Sequence, residues 1–85
     1  MKYKIRLCDG KEAVEKEITS LKENLDFAID RAFRNKKFRE ELVKTFLIGE
    51  AEIVVTDLGT CAVVGHGKFT TNVFSGRSDY SIKLY

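Results

Sequence analysis

The stretch Lys2-Tyr3-Lys4-Ile5-Arg6-Leu7-Cys8-Asp9-Gly10-Lys11-Glu12-Ala13-Val14-Glu15-Lys16-Glu17-Ile18 decides the fold class. Apolar and charged residues alternate from Lys2 to Leu7, with Tyr3, Ile5 and Leu7 on one side and Lys2, Lys4 and Arg6 on the other. That period of two describes a half-buried strand. Asp9-Gly10 is a two-residue hairpin signal, because both central positions of a type I′ turn need positive φ. The return strand is expected over about residues 11–18. A two-residue loop would set Ile5 against Val14, Lys4 against Glu15 and Lys2 against Glu17, matching apolar contact on one face with opposite charge on the other.

Beyond the hairpin the period changes. Ser20-Leu21-Lys22-Glu23 has the form of a capping box. Leu21, Leu25, Ala28, Ile29, Ala32 and Phe33 then recur at helical spacing. The stripe breaks at Arg34-Asn35-Lys36-Lys37, and a second one runs through Phe38, Leu42, Val43, Phe46 and Leu47. Two helices are expected, about 20–34 and 37–48, with Asn35 left-handed at the end of the first and Gly49 closing the second. Phe27 lies off the first stripe, either packed on the second helix or exposed as an anchor.

The remainder reads as strand: 51–57, a turn at Asp57-Leu58-Gly59-Thr60, 61–65, a turn at Gly65-His66-Gly67, 68–75, a loop at Ser75–Asp79, and a final alternating run from Tyr80. The order ββααβββ predicts one α+β domain over residues 1–85. In it, one or two helices pack on one face of a mostly antiparallel sheet of four to six strands. Ile53-Val54-Val55 and Ala62-Val63-Val64 are apolar at both parities, so a covering on their second face is expected, with a homodimer through the sheet as one way to supply it.

Composition narrows the function. The chain of 85 residues carries 15 Lys+Arg and 13 Asp+Glu, a net charge of +2, with no Pro, no Trp and one His. The net charge does not announce a nucleic-acid binder, and the composition is not that of a disordered chain. No apolar run approaches the roughly 20 residues of a membrane helix. The charged start has no signal-peptide core, so a cytoplasmic protein with reduced Cys8 and Cys61 and no membrane partner is expected.

Chemistry-bearing patterns are sparse. One His and two distant Cys make no four-ligand zinc site, so neither metal nor cofactor is expected. Gly65-His66-Gly67-Lys68 fails the phosphate-loop pattern, with Ala62 in place of the first Gly and Phe69 after the Lys. His66 with Cys61 or Asp57 is the one nucleophile arrangement on offer, and a small hydrolase would have to be built on it. Cys61 and His66 are five residues apart, which on a regular strand puts them on opposite faces.

The strongest unexplained feature is basic. Arg31, Arg34, Lys36, Lys37 and Arg39 put five cations into nine residues with no acid among them. Lys36, Lys37 and Arg39 fall at the start of the second helix, where the dipole disfavours positive charge. With Arg77 and Tyr80 of the C-terminal loop region, residue types favoured at interfaces, they form the candidate partner-binding set. A second basic surface is the outer face of the first strand: Lys2, Lys4 and Arg6, with Lys83 and Tyr85 if the last strand lies beside it. The expected function is a small non-catalytic binding protein. It would act as an inhibitor or adaptor by occluding an acidic protein surface, as small phage- or mobile-element-encoded proteins do. The alternative is a nucleic-acid-binding module using the same corner.

Overall fold

The computed structural model describes residues 1–85. Five antiparallel strands form one sheet in the order β2-β1-β3-β4-β5. They are β1 (Lys2–Cys8), β2 (Ala13–Thr19), β3 (Ile48–Asp57), β4 (Val63–Asn72) and β5 (Arg77–Leu84). Between β2 and β3 the chain makes a 3₁₀ turn (Lys22–Asn24) and two helices, α1 (Leu25–Arg34) and α2 (Lys36–Phe46), which cover one face of the sheet. This is the α+β architecture that the change of period predicts. No helix is long and apolar enough to cross a membrane.

The core lies between the sheet and the helices. Tyr3, Ile5 and Leu7 of β1, Val14 of β2, Ala51, Ile53 and Val55 of β3 and Phe69 of β4 meet the helix stripes Leu25-Ile29-Ala32-Phe33 and Phe38-Leu42-Phe46. Both helices bury the face their apolar spacing dictates. Leu21 and Leu47 lie just beyond the helix ends and are exposed, and Phe27 points into solvent.

The first hairpin differs in register from the expectation. Leu7 faces Val14, Arg6 faces Glu15, and Lys4 faces Glu17. The reason is the turn. Asp9 Oδ1 accepts the N–H groups of Lys11 at 2.9 Å and Glu12 at 2.7 Å, which makes a four-residue loop, Asp9–Glu12. These bonds, Glu12's foremost, hold the Asp9 carboxyl below the usual carboxylate range. The two-residue shift conserves strand parity, so the same residues stay inside. Lys16, on the core face by the same parity as Val14, now stands opposite Ile5 with its ammonium 5.4 Å from the centre of the Phe38 ring.

The helix ends also differ. Ser20 makes no capping box; its hydroxyl donates to the Leu21 carbonyl, and neither the 3₁₀ turn nor α1 has a side-chain cap. Asn35 is extended (φ −64°, ψ 123°), not left-handed. It ends α1 and caps α2, its Oδ1 accepting the Phe38 N–H at 3.0 Å. One short polar residue thus separates two helices that nearly abut. At the far end of α2 it is Leu47, at φ 52°, that breaks the helix, and β3 begins at the next residue; Gly49 lies within β3.

The largest revision concerns Gly65-His66-Gly67. It is no turn: β4 runs unbroken through it, pairing Gly65 with Leu84, His66 with Lys83 and Gly67 with Ile82. Both glycines face the helices, where β5 approaches too closely for a side chain. A Cβ on Gly65 would stand 2.7 Å from Leu84 Cδ2, and one on Gly67 would overlap the Ser81 carbonyl oxygen. Glycine is here for close approach and not for a turn.

The sheet's other face is open. Val54 and Val64 are half-buried among outward-facing Lys4, Arg6, Glu52, His66, Lys68 and Lys83. The expected two-sided apolar strands reduce to these few residues, because the Ala62-Val63-Val64 run enters β4 at an irregularity opposite Val55/Thr56. β5 does not lie beside β1, since β3 and β4 intervene. Glu15 pairs with both Lys4 (3.2 Å) and Arg6 (3.5 Å), so the basic face of the first strand is answered by its own hairpin.

Candidate functional site: a basic groove at the helix corner

The sharp α1–α2 junction at Asn35 points the end of one helix and the start of the next at the hairpin joining β4 to β5. Between them lies a groove of about 510 Å³. Arg34, Lys36, Arg39 and Lys44 line it, with Glu40 as the only acid and Gly76 and Ser78 closing the hairpin side. No acidic residue occupies the first turn of α2. Three cations, Lys36, Lys37 and Arg39, therefore stand beside the positive end of the helix dipole, an arrangement that costs roughly 0.3–1 kcal/mol per charge at an exposed site.

Of the candidate residues, Arg34, Lys36 and Arg39 are brought together here. Arg34 is also tethered, its Nε 2.9 Å from Asp30 Oδ2 one helical turn back. Arg31 and Lys37 are exposed and do not line the groove. Arg77 opens β5 with its side chain turned away from the groove, over a shallow depression of Thr70, Asn72 and Ser75. Lys44 was not in the candidate set. Its signal was present as helical spacing: Lys36, Glu40 and Lys44 stand at i, i+4 and i+8 on one face.

Tyr80 adjoins the groove without lining it, and is linked to Arg34 through Asp30. Its ring stacks on Phe33 at 4.2 Å and 13°, and its hydroxyl donates to Asp30 Oδ1 at 2.5 Å. Asp30 therefore binds the tyrosine with one oxygen and Arg34 with the other. Burial, together with the hydrogen bond to the Asp30 carboxylate, pushes the Tyr80 hydroxyl up to about 12 from 10.0. Because folding raises this pKa, the stabilisation it brings is complete below about pH 10 and is lost as pH rises through about 12. The urea midpoint of the wild type is expected to fall between about pH 9 and 11.5, and Tyr80→Phe is expected to flatten that decline. An equally steep decline in Tyr80→Phe would locate the titrating group elsewhere.

A second surface adjoins the groove. The Val73 N–H donates to the Leu47 carbonyl at 2.9 Å, so the hairpin tip lies against the end of α2. Leu47, Ile48, Val73 and Phe74 are all exposed there, Phe74 by 87%. Nothing in the sequence periodicity marks this cluster, because it is assembled from two chain segments that each read as an element end.

The His66 arrangement is not assembled. His66 lies mid-strand on the open face with its Nδ1 2.5 Å from the Tyr85 hydroxyl, and it makes no hydrogen bond to Cys61 or Asp57. The Asp57 carboxylate accepts the Gly59 N–H at 2.8 Å within its own turn, and Cys61 is exposed in the loop that follows β3. No three His, Cys, Asp or Glu side chains gather where they could hold a metal ion. Comparison with known proteins finds no matching family model, no matching curated protein and no matching solved structure.

Proposed function

We propose that this protein is a non-catalytic binding module that seats acidic side chains of a protein partner in the groove between the helix corner and the β4–β5 hairpin, blocking or bridging that partner. The observation that carries this reading is the excess of positive charge, of which only Arg34 has an acid partner, Asp30. Four cations surround the groove against one acid, and the first turn of α2 holds three cations that disfavour the helix they begin. Charge kept where it costs stability points to an anionic occupant.

The exposed Leu47, Ile48, Val73 and Phe74 favour a protein over a nucleic acid. An aromatic anchor beside a charged rim is the arrangement in which a few contacts supply most of the affinity and cations set orientation and on-rate. Inhibitor and adaptor are the two roles open to such a surface, and a phage or mobile-element origin suits the first.

Replacing Lys36, Lys37 and Arg39 together with Glu separates binding from folding. The triple variant is expected to melt slightly above the wild type, because Glu in a first helical turn is favourable where Lys and Arg are not. It is expected to lose partner binding by about two orders of magnitude or more. The measurement compares what immobilised wild-type and variant protein retain from lysate of the source cell, alongside thermal melts of both. A protein species held by the wild type and lost by the stable variant supports the proposal. Retained nucleic acid, weakening steeply between ~50 and ~200 mM salt, would shift the assignment to nucleic-acid binding. Equal retention by the two proteins removes the groove from function.

A further inference from the structure

The sheet has two edge strands, and they are not equally protected. Natural edges avoid pairing with a second chain by inward-pointing charges, bulges or proline. β2 carries such a device, with Lys16 on its core face. β5 has none. It pairs with β4 in unbroken register from Arg77 to Leu84, and its helix-side residues Ser78, Tyr80, Ile82 and Leu84 include no charge.

Its free backbone groups can be assigned. The Tyr85 N–H donates to the Val64 carbonyl at 2.9 Å. In an antiparallel strand the direction alternates, so the odd-numbered residues of β5 bond to β4. The N–H and C=O groups of Ser78, Tyr80, Ile82 and Leu84 therefore point away from the sheet; of the four N–H groups only that of Tyr80 has a partner, the Oδ1 of its neighbour Asp79 at 2.8 Å. On the same edge a small cavity of about 190 Å³ lies between Asp26 and Ile29 of α1 and Tyr80, Ile82 and Leu84, all three β5 side chains only half-buried.

We propose that this edge is completed by a second copy of the chain, β5 pairing antiparallel with β5 about a two-fold axis through Ser81. Charge selects this occupant and this register. With Ser81 opposite the partner's Ser81, Asp79 meets the partner's Lys83 and Lys83 meets the partner's Asp79, at non-hydrogen-bonded positions where side chains approach most closely. Tyr80 and Ile82 then face each other on the helix side, and Arg77 faces the partner's Tyr85. Moving one step of the hydrogen-bonding repeat in one direction sets Arg77 against the partner's Lys83. Moving one step in the other leaves Lys83 opposite serine and Asp79 opposite tyrosine. Among registers that pair the strand over its length, this one alone makes two ion pairs; an axis through Ser78 would pair Arg77 with Asp79 twice but would overlap only residues 77–79.

The dimer makes roughly eight backbone hydrogen bonds, two for each hydrogen-bonded pair, of which the two from Tyr80 replace its N–H bond to Asp79 and free that carboxylate for the partner's Lys83. It joins the two five-stranded sheets into one with both helix layers on the same side. The partner's edge closes the small cavity beside Ile29, Ile82 and Leu84. The two Ser78 residues of the basic grooves come to lie about 20 Å apart along the strand direction, and the two Gly76 residues about 33 Å apart, which would let one elongated partner engage both grooves.

Sedimentation velocity over a broad concentration range tests the pairing, using the wild type, D79K, K83D, and D79K/K83D. Asp79 and Lys83 are exposed on the open face, outside the core, and circular dichroism melts verify that each variant folds. The wild type is expected to dimerise, each single reversal to weaken dimerisation about tenfold or more, and the double reversal to restore it. The two single variants, each weakened alone, should pair with each other when mixed, because both contacts are then between opposite charges. A wild type that sediments as a monomer throughout, or a dimer indifferent to every reversal, overturns the proposal. The groove variant with Lys36, Lys37 and Arg39 replaced should dimerise like the wild type, so failure of either proposal leaves the other standing.

Discussion

Gly67→Ala is expected to lower the melting temperature by roughly 10–20 °C, although it adds one methyl group to a strand where alanine is the intrinsically better residue. Two effects oppose each other. Alanine restricts the unfolded chain and would stabilise by about 0.4–1 kcal/mol if the site tolerated it. The new Cβ, however, would overlap the Ser81 carbonyl oxygen and stand 2.8 Å from the Ile82 Cα. Those are backbone atoms of the neighbouring strand, so no rotamer change relieves the clash and β5 must move away. Forced overpacking of this kind costs about 1–3 kcal/mol or more, and the backbone target puts it at the upper end. His66→Ala, between the two glycines but on the open face, is the control and should change stability by less than about 0.5 kcal/mol. Thermal melts of the two variants decide the matter. A Gly67→Ala melt within about 2 °C of the wild type would mean that β5 does not press on β4 at this point.

The same glycines show why part of the fold was legible and part was not. Alternation at Tyr3, Ile5 and Leu7 and helical spacing at Leu25, Ile29, Phe33, Phe38 and Leu42 are local periodicities imposed by burial, and burial kept every one of them inside. Gly65 and Gly67 answer to residues 19 and 15 positions on, across the β4–β5 hairpin, so nothing adjacent to them in sequence reports the constraint, and local propensity suggests a turn. Asn35 is a related case. Both a left-handed helix end and an N-cap suit asparagine, and the immediate restart of helix at Lys36 selects the cap. The hairpin register slipped because Asp9 can either begin a two-residue turn or fold back on two N–H groups, and the second makes two hydrogen bonds.

The candidate site divides along the same line. Arg34, Lys36 and Arg39 share a groove because they flank one tight junction, and that much follows from sequence proximity. Lys44 joins by helical spacing. Ser78 and Gly76, and the apolar cluster of Leu47, Ile48, Val73 and Phe74, come from the packing of the β4–β5 hairpin against the end of α2. The surroundings of Tyr80 follow from no spacing: its ring stacks on Phe33 and its hydroxyl donates to Asp30, fifty residues away.

Phe33→Ala is expected to cost about 3–5 kcal/mol and, at the same time, to bring the Tyr80 hydroxyl back towards 10. Phe33 is 4% exposed and stands at the centre of the aromatic core. Tyr80 stacks on it at 4.2 Å, Phe38 is tilted against it at 5.6 Å, and Phe69 lies at 6.3 Å. Removing the ring leaves a void that three large neighbours cannot all fill, so the loss lies at the high end for a core residue. Against a total stability of 5–15 kcal/mol for a natural domain, that leaves the fold marginal. Phe33→Leu retains most of the volume, costs less, and keeps the second measurement accessible in a folded protein. Burial is the first cause of Tyr80's raised pKa, and the Phe33 ring supplies one side of that burial. Ultraviolet titration of the phenolate should therefore show the late-titrating tyrosine moving to lower pH in Phe33→Leu and further in Phe33→Ala where that variant folds. If both variants keep a tyrosine at about 12, the hydrogen bond to Asp30 alone sets the value. The Asp30 carboxylate that also holds Arg34 then fixes Tyr80 by that one bond and not through the aromatic stack.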